Sequence, residues 1–102
     1  MTKHHPSKAV ELYRDDGAFT VLVDLEGYDR EDVEVSWHDG RLHVVAEHLR
    51  EDGRTRMFHR HLGLPKRIDV EAITAHFDEG VLEVSLPILG ACEPDGRVIA
   101  VE

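Results

Sequence analysis

The chain has 102 residues, of which 41% are apolar and 32% are charged, and its formal net charge is −9 at pH 7. This length is enough for one hydrophobic core and too short for two, so we expect one folded domain. The acidic balance argues against binding of nucleic acid phosphates, which requires a basic face. No apolar stretch approaches the roughly 18 residues of a membrane span, and the first residues lack the hydrophobic segment of a secretory signal. We therefore expect a cytoplasmic protein that binds neither nucleic acid nor membranes.

Short segments of alternating apolar and polar residues follow one another along the chain, and turn signals rich in aspartate and glycine separate them. A two-residue period is typical of half-buried β-strands, and no long helical period occurs. The pattern predicts strands over residues 10–13, 18–25, 33–37, 41–48, 54–62, 73–77 and 81–86. One short helical turn is expected between residues 27 and 32. The sequence therefore predicts an all-β fold, an immunoglobulin-like antiparallel β-sandwich of seven to eight strands.

Five of the predicted strands have an apolar face. Because side chains alternate between the two faces of a strand, every second residue belongs to the same face. The sets that share a face are Phe19, Val21, Val23 and Leu25; Val33, Val35 and Trp37; Leu42, Val44 and Ala46; Ile73, Ala75 and Phe77; and Leu82, Val84 and Leu86. Of these, Leu42, Val44 and Ala46 are expected to face inward. Between two of these strands, Asp39-Gly40 is expected to form a hairpin turn, since both residue types accept positive φ.

Four stretches of the sequence form recognisable motifs. They are a strand that ends in Leu-Pro at residues 80–87 (GVLEVSLP), a second Leu-Pro strand at 58–65 (FHRHLGLP), an acidic turn at 24–33 (DLEGYDREDV) and the tail Ile99-Ala100-Val101. Together with the opening strands they resemble the α-crystallin domain of the small heat-shock proteins, from about residue 10 to residue 87 with the tail added. Glu26 stands where the family's turn usually carries proline.

The resemblance implies an organisation and an activity. It divides the chain into a short N-terminal arm at residues 1–9, a sandwich domain at 10–88 and a flexible tail at 89–102. It also implies an ATP-independent holdase that needs no cofactor, binds partly unfolded client proteins and prevents their aggregation. Family members usually carry a longer arm, so we expect either a minimal member that forms small assemblies or the removal of an arm. The alternative is a partner-specific interaction or co-chaperone module on the same sandwich.

The tail is the clearest candidate for a docking segment. Ile99 and Val101 lie on the same side of an extended segment, so they suit two successive pockets along a sheet edge. In the family such a tail binds in a groove between two strands, and the matching residues here are Val33, Val35, Ile73 and Ala75. A strand that folds back on its own domain is the other interpretation of the tail.

The strand at residues 54–62 is the candidate dimer contact. Many relatives exchange a strand through a longer insertion, whereas the loop at residues 49–55 is too short for one. We therefore expect a homodimer, with possible higher oligomers, that pairs through this strand and uses Phe58, His59, Arg60 and His61. An arginine fork can bind a carboxylate with two hydrogen bonds, and the resemblance places Arg60 near the subunit interface.

Metal binding and catalysis are the two other chemistries that such a sequence could indicate. His59 and His61 share a strand face, but the sequence identifies no third ligand, so they are expected to face solvent and no metal site is predicted. No motif for a catalytic nucleophile or a phosphate-binding loop occurs, and the acidic pairs coincide with turns, so no catalytic residue is expected. The single cysteine, Cys92, has no basic cluster beside it and is interpreted as incidental.

Overall fold

The structure is a computed structural model, and it describes residues 9–89 and Val101. Within this part of the chain there are seven strands: β1 (Val10–Arg14), β2 (Ala18–Asp24), β3 (Val33–His38), β4 (Arg41–Leu49), β5 (Thr55–Gly63), β6 (Thr74–Asp78) and β7 (Val81–Pro87). Two single 3-10 turns, Arg30–Asp32 and Val70–Ala72, complete it. The first is the short helical turn that the sequence predicts. None of the described helical segments is long and apolar enough to cross a membrane.

The strands form two antiparallel sheets. One sheet has the order β1-β2-β7-β6, and the other has the order β3-β4-β5. The pairing of β2 with β7 joins residues far apart in the sequence, with Val21 directly opposite Val84. The other pairs are hairpins of strands that follow each other in the chain. This arrangement confirms the predicted antiparallel sandwich, with seven strands.

The core lies between the two sheets. The larger sheet contributes Phe19, Val21 and Val23 from β2 and Leu82, Val84 and Leu86 from β7, and the smaller sheet contributes Leu42, Val44 and Ala46 from β4. All are buried, and each strand's set shares one face, as the alternation predicts. Side chains at the sheet edges, among them Val33, Val35 and Trp37 of β3, Phe77 of β6 and Ile73 just before β6, are partly buried against this core. Among residues 9–89, no polar or charged residue is buried.

Two tight hairpins use residues with positive φ. Asp39 and Gly40 join β3 to β4 with φ values of 54° and 72°. Glu79 and Gly80 join β6 to β7 with φ values of 52° and 78°. Two consecutive residues of positive φ define the hairpin turn whose twist matches that of the strands, which confirms the Asp-Gly prediction. At Gly80 a second constraint applies, because a Cβ would lie 3.3 Å from the Cα of Glu26.

Alternation alone does not reveal the burial of Val81. This residue lies opposite Asp24 and Asp78 on the outer face of the larger sheet, yet its exposed fraction is 0%. The chain crosses this end of the sheet after β2, where the Leu25 N–H donates to the Gly80 carbonyl at 2.8 Å. The burial of this outer-face residue is therefore a property of the folded chain that the local alternation does not contain.

Candidate functional site

A groove lined by both apolar and polar side chains opens between the edges of the two sheets. It has a volume of about 480 Å³, and its walls come from β3 of the smaller sheet and β6 of the larger one. Its lining residues are Arg30, Val33, Val35, Ala75, His76, Phe77 and Leu82. The structure thus brings Val33, Val35 and Ala75 together. Ile73, the fourth residue expected in the groove, precedes β6 and packs against the core instead of lining this space.

The groove connects the core with the surface. Leu82 lines it and has an exposed fraction of 2%, so the bottom of the groove is part of the core itself. Both walls are edge strands, since β3 pairs only with β4 and β6 pairs only with β7 in the described part of the chain. An apolar floor beside open backbone edges suits an extended apolar peptide, which fills the floor with side chains and pairs its backbone with an edge.

A carboxylate fixes the turn that precedes β3. Asp32 Oδ2 accepts a hydrogen bond from the backbone N–H of Asp29 at 2.9 Å and one from His48 Nδ1 at 2.8 Å. The pKa of Asp32 is lowered, first by the backbone hydrogen bond from Asp29 and further by the hydrogen bond and charge of His48, although partial burial opposes this effect. Since Val33 follows directly, this contact fastens the start of the groove wall to β4.

Arg56 fixes the chain between β2 and β3 from the other side. Its Nη1 donates to the carbonyl of Glu26 at 3.3 Å, and its guanidinium lies 4.9 Å from the centroid of the Tyr28 ring. Gly27 has a φ of 97°, and a Cβ there would lie 2.5 Å from Arg56 Nη1. The sequence did not single out Arg56. Its position in the alternation of β5, on the same face as Phe58, was the available signal.

The four residues expected at the dimer contact divide between the two faces of β5. Phe58 and Arg60 lie on the face that looks toward the core, opposite Ala46 and Val44. His59 and His61 lie on the outer face, opposite Val45 and His43. The Arg60 side chain is exposed, and its guanidinium is 5.5 Å from the centroid of the Phe58 ring. No carboxylate within residues 9–89 forms an ion pair with it.

The edge of β5 that faces away from β4 has no strand partner in the described region. The turn before β5 is closed tightly, because the Arg50 N–H donates to the Arg54 carbonyl at 2.7 Å and the Gly53 N–H donates to the Arg50 carbonyl at 3.0 Å. This turn contains no additional strand. The β5 edge thus remains open along nine residues.

Of the tail at residues 89–102, the structure describes Leu89 and Val101. Val101 has an exposed fraction of 98%, so it is not seated in the groove of its own chain. Ile99, the other half of the expected docking motif, lies outside the described residues.

Seven strands in two sheets, with a groove between β3 and β6, define an α-crystallin-type sandwich. The Hsp20/alpha crystallin family model matches residues 11–102, and the chain belongs to this family. Heat shock protein 16 of Schizosaccharomyces pombe is 30% identical over 94 residues, which cover 79% of this chain and 66% of that protein. The 17.0 kDa class II heat shock protein of Zea mays is 32% identical over 89 residues, covering 76% and 58% respectively. This chain spans less than two thirds of both relatives.

Solved structures show the same fold. A small heat-shock protein from Xylella fastidiosa, described as having a distinct high order structure, matches with a TM-score of 0.72 at 31% identity over 91% of this chain and 94% of that one. Heat shock protein 16.0 from Schizosaccharomyces pombe matches with a TM-score of 0.73 at 27% identity, covering 91% and 73%. The resemblance found in the sequence is thereby confirmed, and a chaperone role is supported at the level of the family.

Proposed function

We propose that this chain is an ATP-independent holdase whose groove between β3 and β6 binds extended apolar segments of partly unfolded proteins. The observation that carries the proposal is a groove between two edge strands whose lining includes apolar side chains from both strands and, at its floor, a core residue. Chains that unfold expose such segments, and the groove offers them burial together with backbone pairing. The net charge of −9 helps to keep the resulting complex in solution. The proposal involves no catalytic residue and no cofactor, and it includes a cytoplasmic location.

The strength of binding follows from the size of the contact. Burying one aliphatic side chain contributes about 1.5–3 kcal/mol, and ordering a flexible segment offsets part of this gain. A client that places two or three side chains in the groove is therefore held weakly and reversibly. Weak binding suits a holdase, because clients must be released in order to refold.

The tail is proposed to compete with client segments for binding in the groove. Ile99 and Val101 have the spacing of two pockets on one side of an extended peptide. Arg30 lines the groove, and the sequence places the acidic Glu102 directly after Val101, so the two charges are complementary. Because Val101 is exposed on its own chain, the proposed acceptor is the groove of a second subunit. The tail at residues 89–102 would thus link sandwich domains formed by residues 10–88.

Self-association is proposed to begin with pairing of β5 edges. Support comes from the open edge, the tight turn before it and the guanidinium of Arg60, which has no ion-pair partner among residues 9–89. Two β5 strands can form a continuous antiparallel sheet across a two-fold axis, because such an interface is self-complementary. In this dimer Arg60 is expected to bind a carboxylate of the second subunit.

The test compares two single substitutions on neighbouring residues of β6. Ala75 and Thr74 are both exposed neighbours on β6; Ala75 lines the groove, and Thr74 is not among its lining residues. Ala75→Glu places a charge in the groove, whereas Thr74→Glu adds the same charge beyond its lining. Light scattering records heat aggregation of a labile enzyme without ATP, with the intact chain, each variant and a chain lacking residues 97–102.

We expect the intact chain and Thr74→Glu to suppress aggregation at near-stoichiometric ratios and Ala75→Glu to lose most of this effect. Loss of the tail should change the activity, since it removes the competitor. No suppression by the intact chain at any ratio would refute the holdase and favour the partner-specific module. Equal activity of the two β6 variants would refute the groove as the client site.

A further inference from the structure

Three histidines meet on the outer face of the smaller sheet. His43 on β4 is directly opposite His61 on β5, and His59 lies two residues before His61 on the same face. The ring centroids of His43 and His61 are 5.6 Å apart, and those of His59 and His61 are 6.1 Å apart. One ring nitrogen from each of the three residues lies within 4.8 Å of the other two. The register of a hairpin therefore supplies the third ligand that the sequence did not identify.

One member of this cluster has an unsatisfied nitrogen. Nε2 of His43 is buried and has no hydrogen-bond partner, and it is the one buried side-chain nitrogen or oxygen in the described chain with this property. Burying a polar atom without a partner is unfavourable, so such atoms call for an explanation. A metal ion bound at this nitrogen would give it a partner. His59 and His61 are exposed, so their rings can rotate toward a common ion.

We propose that His43, His59 and His61 form a binding site for a divalent late transition metal ion, with Zn²⁺ as the best fit. Neutral imidazole nitrogens are common ligands of zinc, which binds them at about 2.0–2.1 Å in a tetrahedral arrangement. Three such nitrogens lie about 3.3 Å apart around the ion. The rings here must therefore approach one another by rotation of the two exposed side chains. The fourth coordination position is open to solvent.

At this location a bound ion would affect the stability of the smaller sheet. His43 is on β4, and His59 and His61 are on β5, so one ion would link both strands of a hairpin. A ligand that binds only the folded chain raises its stability by an amount that grows with the logarithm of the ratio of free ligand to Kd. The site would thus stabilise the strand whose edge is proposed to form the dimer. The proposed metal site and the proposed client groove use different residues. An experiment can therefore refute one proposal without refuting the other.

The experiment measures metal binding by the untagged full chain. Titration calorimetry with Zn²⁺ is expected to show one site per chain. Co²⁺, used as a spectroscopic probe, is expected to give visible absorption bands of tetrahedral coordination that disappear when Zn²⁺ is added. His59→Gln and His61→Gln should each weaken the affinity by about tenfold or more, because each removes one of three ligands. His43→Gln should do the same.

The matched control is His76→Gln, which changes an exposed histidine on β6 of the other sheet. It should leave affinity and stoichiometry unchanged. His59 and His61 are exposed, so their variants are expected to fold even where His43→Gln does not. Absence of binding, an equal loss in His76→Gln, or loss of the site only when His4 and His5 are replaced would overturn the proposal.

Discussion

The Asp32 carboxylate connects two elements of the fold. It accepts hydrogen bonds from the Asp29 backbone and from the His48 side chain, so it joins the 3-10 turn to β4. The next residue, Val33, begins the groove wall. The charge of the carboxylate strengthens both hydrogen bonds, because an ionised acceptor binds N–H donors more strongly than a neutral acceptor does.

Replacement of Asp32 by alanine is expected to lower the melting temperature at neutral pH. The folded-state pKa of Asp32 lies below its ordinary value of 3.8. The unfolded chain therefore binds the proton more tightly, and the stabilisation is present above pH 3.8 and is lost as the pH falls through the folded-state value. The difference in melting temperature between Asp32→Ala and the unchanged chain should shrink below that pH. Asp16→Ala, an exposed carboxylate in the β1–β2 turn, is the control. A pH-independent difference would contradict this explanation.

Gly27 has a backbone conformation that favours glycine. Its φ is 97°, which strains any residue other than glycine, and a Cβ added at this position would lie 2.5 Å from Arg56 Nη1, so the flexible Arg56 side chain would have to move. Gly27→Ala should destabilise the fold by about 1–2 kcal/mol, from backbone strain and displacement of Arg56. Urea unfolding measures this change. Gly17→Ala is the control, because φ there is not positive and no atom lies within 4 Å of the added Cβ. A cost at Gly17 equal to that at Gly27 would contradict the steric argument.

At the scale of elements, three open strand edges carry the proposed interactions. β3 and β6 flank the groove, and β5 presents its own edge at the other side of the smaller sheet. Open edges can pair with other chains, which is a hazard for most proteins and is the means of binding in the client and dimer contacts proposed for this one. On β5 the two faces differ in chemistry, since Arg60 and Phe58 share one face while the histidines share the other.

Replacing Arg60 with alanine is expected to weaken self-association by about tenfold or more, because it leaves the carboxylate of the second subunit without its charged donor. Sedimentation equilibrium measures the dissociation constant. Arg41→Ala is the control, since Arg41 is an exposed arginine on the central strand β4. An unchanged dissociation constant for Arg60→Ala would place the dimer contact elsewhere.

At the scale of the whole molecule, charge and apolar surface are separated. Buried side chains in residues 9–89 are all apolar, and the charged residues of this region lie at its surface. The core reaches the outside where Leu82 lines the groove. An occupant of the groove therefore extends the core, while the acidic exterior repels other copies of the chain. The proposed client binding and the repulsion between copies would therefore depend on different surfaces.

The sequence by itself determined the strands, their apolar faces and the tight turns, because these depend on patterns within a few neighbouring residues. The alternation of Leu82, Val84 and Leu86 and the Asp39-Gly40 turn are examples. The motifs also sufficed to identify the family. The tertiary structure alone decided which distant residues meet. It placed Val35 beside Ala75 in one groove, Arg56 against Tyr28, Val81 in a buried position, and His43 beside His59 and His61. These contacts depend on strand register and sheet packing, which are set by the burial of the whole core and not by any local pattern.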